Sequence, residues 1–325
     1  MTTTISVIIC AHTLDRYNEL LQAVEASRAQ TMPPHEIIVA IDHNPDLYAR
    51  LHDRWSGSPP VRVIENQQTR GLSGARNTAI TYATGQILAF LDDDATPELD
   101  WLATLTTPYA DPTVSGVGGR IIPNWATGRP RWFPEEFDWV VGCTYRGTPT
   151  RQAPVRNLIG ANMSFRREVF ETAGDFTSGM GRIGALPVGC EETELCIRYR
   201  QLRPGHEFIY TPQAVVHHLV PGKRANWRYF WSRCFHEGRS KAMVAQLVGA
   251  ADGLSTERSY TLRTLPVGVL RGLADLFRGD LASPARSFAI VSGLVITGVG
   301  YLNGRLSKVA AQPAPAPQTE ESHVG

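Results

Sequence analysis

Four short apolar runs constrain the chain most. Residues 5–10 (ISVIIC), 36–41 (EIIVAI), 61–65 (VRVIE) and 86–91 (QILAFL) are apolar or β-branched, and stretches of helical character separate them. Strands that alternate with helices imply βαβ units, because two parallel strands need a crossover long enough to hold a helix. An α/β fold with a mainly parallel, doubly wound sheet is therefore predicted. Residues 72–83 read as a helix entered from Gly71, with Leu72, Ala75, Ala79 and Tyr82 at helical spacing. Ligands of such sheets bind beyond the carboxyl ends of the strands.

At one of those ends stand Asp92, Asp93 and Asp94. Three adjacent carboxylates repel one another unless a cation joins them. Hard divalent ions such as Mg²⁺ or Mn²⁺ prefer this oxygen donor set. The competing reading is a helix N-cap, but a cap needs one carboxylate rather than three. Three further motifs accompany the triad. RGLSGARN (residues 70–77) is a glycine-containing turn that opens a helix and carries Arg76, a group suited to a diphosphate. GCEETELCIRYR (residues 189–200) places Glu191, Glu192 and Glu194 ahead of a helix, with Arg198 at ion-pair spacing from Glu194. There a carboxylate in a partly dry pocket can act as a general base, or the acids can form a solvated first turn. VVHHLVPGKR sets His217 and His218 at the end of a strand, as ligands to complete a metal shell or as structural residues.

Several classes are disfavoured. The turn after the first strand, CAHTLDR, has no glycine, so a dinucleotide-binding turn is absent, and the chain has no G-x-x-x-x-G-K-[ST] phosphate loop. Phosphates, if bound, call for a metal. The five cysteines (Cys10, Cys143, Cys190, Cys196, Cys234) form no C-x-x-C pair, so neither a disulfide framework nor a zinc cluster is indicated. The first residues have no secretory pattern, and a reducing, cytoplasmic setting is expected.

In this order the motifs resemble the family 2 glycosyltransferases, inverting enzymes with the GT-A fold. The resemblance covers roughly residues 5–222. It rests on the opening strand, an acidic residue after the second strand (Asp42), the G-x-S-x-A-R-N turn, the D-x-D, the segment GANMSFRR and an acidic pair before a helix. It implies that Ala11 and Asp42 lie around the nucleotide base and Arg76 near the diphosphate. Asp92 and Asp93 would join the nucleotide-sugar site, with Asp92, Asp94 and His218 around Mg²⁺ or Mn²⁺ and Asp94 the most direct ligand. Gly160 and Asn162 fall on the acceptor side, and Glu192 matches the catalytic base, with Glu191 beside it. The family's usual Glu-Asp pair is Glu-Glu here, which leaves open which glutamate faces the acceptor. The resemblance also implies a UDP-, GDP- or dTDP-sugar donor and a glycan or polyprenyl-phosphate-linked acceptor, in cell-envelope polysaccharide synthesis.

Charge divides the chain. Residues 223–308 carry 13 Lys and Arg against 5 Asp and Glu, although the whole chain has a net charge of only +1. A basic C-terminal region suits an anionic surface. Residues 287–302 form a 16-residue apolar run, short of the ~20 that span a bilayer as a helix. The run either dips into or lies on a membrane, or is a buried core helix. An inner-leaflet, peripheral location is expected, and base stacking by Trp227, Tyr229 and Trp231 on nucleic acid is set aside because the apolar run follows.

The expected organisation is a GT-A unit over residues 1–222, divided into a nucleotide-sugar half (1–105) and an acceptor half (106–222). A helical region (223–308) and a disordered Pro/Ala tail (309–325) follow. The aromatic stretch 123–142 is expected to be a long loop forming an acceptor-side wall or lid. A sugar nucleotidyltransferase or a non-catalytic membrane scaffold are the alternatives.

Overall fold

The computed structural model describes residues 3–181, 189–253 and 255–307. The expected tail, residues 309–325, lies outside them. The sheet begins with β1 (Ile5–Ala11), β2 (Glu36–Ile41), β3 (Val61–Glu65) and β4 (Ile87–Asp92), joined in parallel in the order β3-β2-β1-β4. Helices α1 (Tyr17–Arg28), α2 (Pro45–Trp55) and α3 (Leu72–Tyr82) form the crossovers. Asn44 opens α2 by accepting the Leu47 N–H at 3.0 Å ahead of Pro45, a residue pre-set for the first helical turn.

β1, β2 and β4 are almost wholly apolar because both faces of the sheet are covered there, whereas β3, at the sheet's end, exposes Arg62 and Glu65. Period-two alternation sends Ile5, Val7 and Ile9 into one core with Leu20, Val39 and Trp101. It sends Ile8 into a second core with Ile38, Ala79, Phe90 and Phe165.

Beyond β4 the sheet becomes mixed. It continues through β5 (Ala95–Pro97), β6 (Val114–Trp125), β7 (Ala153–Val155), β8 (Asn162–Arg166) and β9 (Glu207–Val220). Their order is β4-β8-β6-β9-β5, with β7 also on β9. Helices α4 (Trp101–Thr106), α5 (Glu168–Ala173) and α6 (Glu191–Leu202) pack around this half. The antiparallel pair β5/β9 sets Ala95 opposite His218, and the Leu219 N–H donates to the Asp94 carbonyl at 2.8 Å. This register brings a histidine 124 positions away in sequence to the aspartate triad.

From residue 222 the chain is helical: α7 (Trp227–Val248), two short turns α8 (Ala250–Gly253) and α9 (Ser255–Ser259), a π-helical turn over Tyr260–Thr264, then α10 (Leu265–Phe277) and α11 (Ser283–Leu306). Two expectations change here. The apolar run 287–302 belongs to a helix of 24 residues, long and apolar enough to cross a membrane by length and composition alone. It is neither wholly buried nor a free surface helix, since one face packs on α7 through glycine contacts. A Cβ at Gly238 would meet the Thr297 carbonyl, and one at Gly300 the Phe235 carbonyl.

The stretch 123–142 is not one long loop. β6 runs on to Trp125, and residues 135–141 form a 3₁₀ helix. Phe133 and Phe137 are buried against Phe230, and Trp132 stacks on Trp227 at 3.9 Å, so this segment is a fixed wall rather than a lid.

Candidate active site

A cavity of about 1300 Å³ opens beyond the carboxyl ends of β1, β2 and β4 and runs towards the C-terminal helices. Its sheet end is lined by Ala11, Asp42, Arg76, Asp92, Asp93 and Asp94, and its middle by Gly160, Glu191 and Glu192.

No helix begins at the aspartate triad: α4 starts only at Trp101, so the three carboxylates are not a cap. Asp92 ends β4, opposite Cys10 of β1, and the chain turns through Asp93 and Asp94 into β5. The chain supplies several cations to this turn. Arg16 Nη1 lies 2.6 Å from Asp93 Oδ1 and 3.1 Å from Asp94 Oδ2, and Arg224 Nη2 lies 3.8 Å from Asp94 Oδ2. His218 Nε2 is 3.1 Å from Asp94 Oδ1 and 4.0 Å from Asp92 Oδ2. Burial and the Asp94 charge push the Asp93 carboxyl up to about 7 against the pull of Arg16. Burial would raise Asp94 as well, but His218, Arg16 and Arg224 outweigh it and hold that carboxyl well below the usual range.

Asp92, Asp94 and His218 each offer a ligand atom, and these atoms lie within 4.8 Å of one another. Asp94 Oδ1 is buried and accepts no hydrogen bond of acceptable geometry, a cost that a bound cation would remove. Two carboxylates and an imidazole suit Mg²⁺ or Mn²⁺, so these residues fit a divalent ion. His218 is buried behind Asp94, and Cys143 Sγ lies 3.8 Å from its Nδ1.

The RGLSGARN turn explains how the glutamates are held. Gly71 sits at φ 127°, open to glycine, and its N–H donates to Asp42 Oδ2 at 2.9 Å. Asp42 also accepts from Asn66 at 2.7 Å, so its carboxylate lines the cavity and pins the turn. Ser73, Arg76 and Asn77 share one face of α3. Ser73 donates to the Met180 carbonyl at 2.6 Å, and Asn77 exchanges hydrogen bonds of 2.9 and 3.0 Å with the Phe176 backbone.

Arg76 Nη1 donates to Glu191 Oε1 at 2.8 Å and Nη2 to the Gly160 carbonyl at 3.1 Å, with Asp92 Oδ1 3.7 Å away. Burial works against the Arg76 charge, but Glu191 and Asp92 raise its pKa on balance. Arg76 therefore braces carboxylates from beneath the cavity.

Cys190, at φ 74°, holds a backbone conformation that side-chain-bearing residues rarely adopt and turns the chain into α6. Glu191 is consumed by Arg76. Glu192 is half-buried, lines the cavity and makes no ion pair among the described residues. Burial and the charge of Glu191 push its carboxyl up to about 8, with Arg76 pulling the other way. Glu194 pairs with Arg198 at 2.7 Å along α6 and accepts from Thr177 at 2.9 Å.

One expected site residue is placed elsewhere. Asn162 does not reach the cavity: it is fully buried, accepts from Trp101 Nε1 at 2.8 Å and donates to the Ala214 carbonyl at 2.9 Å and the Arg120 carbonyl at 3.1 Å. It ties three strands and α4 together, while Gly160, two residues earlier, lines the cavity. Sequence reasoning missed Arg16 and Arg224. Their signals were the basic ends of CAHTLDR and VPGKR, each just past a strand that ends at the site.

Residues 6–174 match the family model described as Glycosyl transferase family 2. The chain is 33% identical over 305 residues to the glucosyl-dolichyl phosphate glucuronosyltransferase of Haloferax volcanii, covering 93% of this chain and 96% of that protein. It is 25% identical over 253 residues to the succinoglycan biosynthesis protein ExoM of Rhizobium meliloti, covering 77% of each. The fold is similar to that of the mannosyltransferase PcManGT from Pyrobaculum calidifontis in complex with GDP-Man and Mn²⁺. That likeness has a TM-score of 0.62 at 19% identity, over 93% of this chain and 88% of the other.

Proposed function

This chain belongs to glycosyltransferase family 2, with the GT-A fold, and on that premise we propose that it moves a sugar from a nucleotide diphosphate sugar to a hydroxyl of a lipid-linked glycan. The transfer inverts the anomeric carbon and uses a divalent cation. One observation carries the reading: Glu192, a carboxylate without an ion-pair partner among the described residues, lines the same cavity as Asp92 and Asp94. A base and a cation-binding cluster on one cavity suit attack of a hydroxyl on a sugar whose leaving group is a diphosphate.

In this reading Glu192 accepts the proton of the acceptor hydroxyl as the oxygen attacks the anomeric carbon from the face opposite the diphosphate. Its raised pKa makes it a stronger base than an exposed glutamate. Glu191 orients α6 through Arg76, and Arg76 also steadies Asp92. Arg16 and Arg224 hold the Asp93 and Asp94 carboxylates in place. Asp94, Asp92 and His218 would hold Mg²⁺ or Mn²⁺. When bound, the ion neutralises the charge that develops on the departing diphosphate. Ala11 and Asp42 lie at the end of the cavity suited to the nucleotide.

The acceptor class is supported by the glucosyl-dolichyl phosphate named for the Haloferax relative and by the C-terminal helices. Leu270 and Phe277 of α10, Leu281 after it, and Val291, Val295 and Leu302 of α11 are exposed, with Phe277 at 91%. Arg271, Arg278, Arg286 and Arg305 are spread over the same elements, and Arg263 lies in the turn just before α10. An apolar face with interspersed arginines suits the anionic cytoplasmic leaflet. Trp227 and Trp231 are engaged in packing, the one on Trp132 and the other donating to Ser292 at 3.3 Å, which disfavours base stacking. The glycine-free turn after β1 disfavours a sugar nucleotidyltransferase.

The test is a panel of UDP-, GDP- and dTDP-sugars with a polyprenyl-phosphate-linked glycan acceptor, with and without Mn²⁺, reading released nucleoside diphosphate and glycosylated lipid. Donor-specific release that requires both Mn²⁺ and the acceptor is expected. Transfer that persists undiminished in a chelator would remove the cation from the reading.

A further inference from the structure

The cavity is bipolar. Its sheet end is rich in carboxylates, whereas its other end, between the β7–β8 connection and helices α7 and α9, is rich in cations. Arg156, Arg233 and Lys241 line that second end, and the carboxylates there are Glu237 and Glu257. These five groups form one continuous chain. Arg156 Nη1 lies 2.7 Å from Glu257 Oε2, and Glu257 Oε1 lies 2.6 Å from Lys241 Nζ. Lys241 Nζ is 3.3 Å from Glu237 Oε1, and Glu237 Oε2 is 3.7 Å from Arg233 Nη2. Cys190 Sγ donates to Glu237 Oε1 at 3.5 Å, which joins the chain to the residue just before Glu191. Lys223, next to Arg224, is exposed on the cavity rim outside this chain and has no ion pair among the described residues.

Three cations against two carboxylates leave a surplus of one positive charge on the wall of a partly closed space, and exposed Lys223 adds another on its rim. A chain of alternating charges that served only to tie α7 to α9 would need no such surplus, because unneutralised charge held away from water is costly. The surplus lies beside the start of α6, where Cys190 meets Glu237 and the next two residues are the glutamates of the cavity. Leu294, Thr297 and Tyr301 of α11 line the same end, next to the exposed apolar face of α10 and α11.

We infer that this basic end is a subsite for a phosphate group on the acceptor, with the acceptor's sugar reaching Glu192 and its hydrocarbon chain leaving over α10 and α11. The inference rests on the lipid-linked acceptor proposed above and adds the residues that would recognise its phosphate. Guanidinium and ammonium groups at separate positions suit the several oxygens of a phosphate ester, and a nearby apolar exit favours an ester that carries a hydrocarbon over free phosphate.

The full chain is titrated with geranyl phosphate, with geraniol and inorganic phosphate as controls, and separately with UDP or GDP in the presence of Mn²⁺. Geranyl phosphate is expected to bind at least about tenfold more tightly than either control, and less tightly as salt is raised. Lys223→Glu, at an exposed position, is expected to weaken geranyl phosphate about tenfold without moving the melting temperature, and Lys223→Arg to restore it. Arg233→Gln is the second variant, in the chain itself, with the same direction expected. Equal binding of geraniol and geranyl phosphate, or no effect of Lys223→Glu and Arg233→Gln, would overturn the subsite. Inorganic phosphate binding as tightly as geranyl phosphate would overturn its assignment to a lipid carrier. Failure of this inference is separable from failure of the transferase reading: nucleoside diphosphate binding that survives without phosphate-dependent geranyl binding sinks the subsite alone. Geranyl phosphate binding without nucleotide binding sinks the donor assignment and leaves the subsite.

Discussion

Arg76 of α3 and Glu191 of α6 meet at 2.8 Å across 115 positions of sequence, both almost fully buried. The pair assigns the two adjacent glutamates different tasks. Glu191 is spent on a buried arginine, and Glu192, one residue on and rotated by about 100° around the helix, is left to the cavity.

The two glutamates should therefore respond differently to the same change. Glu192→Gln is expected to lower the transfer rate about 10²- to 10⁴-fold without lowering the melting temperature, since it removes a base and no ion pair. Glu191→Gln leaves Arg76 buried without its main partner and is expected to cost about 3 kcal/mol or more of stability. Steady-state rates and denaturant melts of both variants check this; matching losses of rate and stability in the two would show that they share one role.

The raised pKa of Glu192 gives two opposite pH trends. Transfer should climb about tenfold per pH unit on the acid side and level off near pH 8, because only the ionised carboxylate accepts a proton. Stability runs the other way. The folded, metal-free chain favours the protonated form of Glu192, whereas the unfolded chain ionises it near pH 4.5, so its stabilising contribution is full below about 4.5 and is lost as pH rises to about 8. Denaturant melts between pH 5 and 8 should show wild type losing stability relative to Glu192→Gln as pH increases.

The close approach of α7 and α11 depends on glycine. A side chain at Gly300 would run into the Phe235 carbonyl, and one at Gly304 would press on Ala242 and Arg239. Gly300→Val is expected to destabilise the chain by about 1–3 kcal/mol or more through overpacking. Gly298, with nothing within 4 Å of an added Cβ, should accept alanine with little loss. Thermal melts of the two variants compare them directly.

Membrane association should follow the apolar face of α10 and α11. Leu270→Asp with Phe277→Asp removes two exposed apolar side chains, 64% and 91% accessible, and is expected to reduce sedimentation with anionic vesicles about tenfold or more. Neutral vesicles should bind the wild type more weakly, because arginines flank the face. Equal sedimentation of the variant and wild type would place the contact elsewhere.

Much of this arrangement was legible in the residues alone. Parallel strands buried on both faces produce continuous apolar runs, so β1, β2 and β4 stood out, and the strand ends pointed to the triad at Asp92. What escaped was tertiary. Adjacent glutamates at a helix start look alike until Arg76 arrives from α3. Arg16 and Arg224 are two basic residues among many until β1 and β9 end beside Asp93 and Asp94. Asn162 drew an acceptor-side role from the family resemblance of GANMSFRR, yet its amide satisfies backbone carbonyls where β6, β8 and β9 meet. The run 287–302 underestimated α11 because Ser283, Pro284 and Arg286 at one end and Asn303 and Arg305 at the other continue the helix without being apolar.

Cation-assisted transfer is tested most directly by the anomalous difference map of a crystal grown with Mn²⁺ and a nucleotide sugar. A manganese peak is expected beside the carboxylates of Asp92 and Asp94, with the diphosphate on its far side and Glu192 facing the sugar across the cavity. A map with the nucleotide sugar bound but no manganese peak, and with Asp93 and Asp94 held only by Arg16 and Arg224, would contradict it.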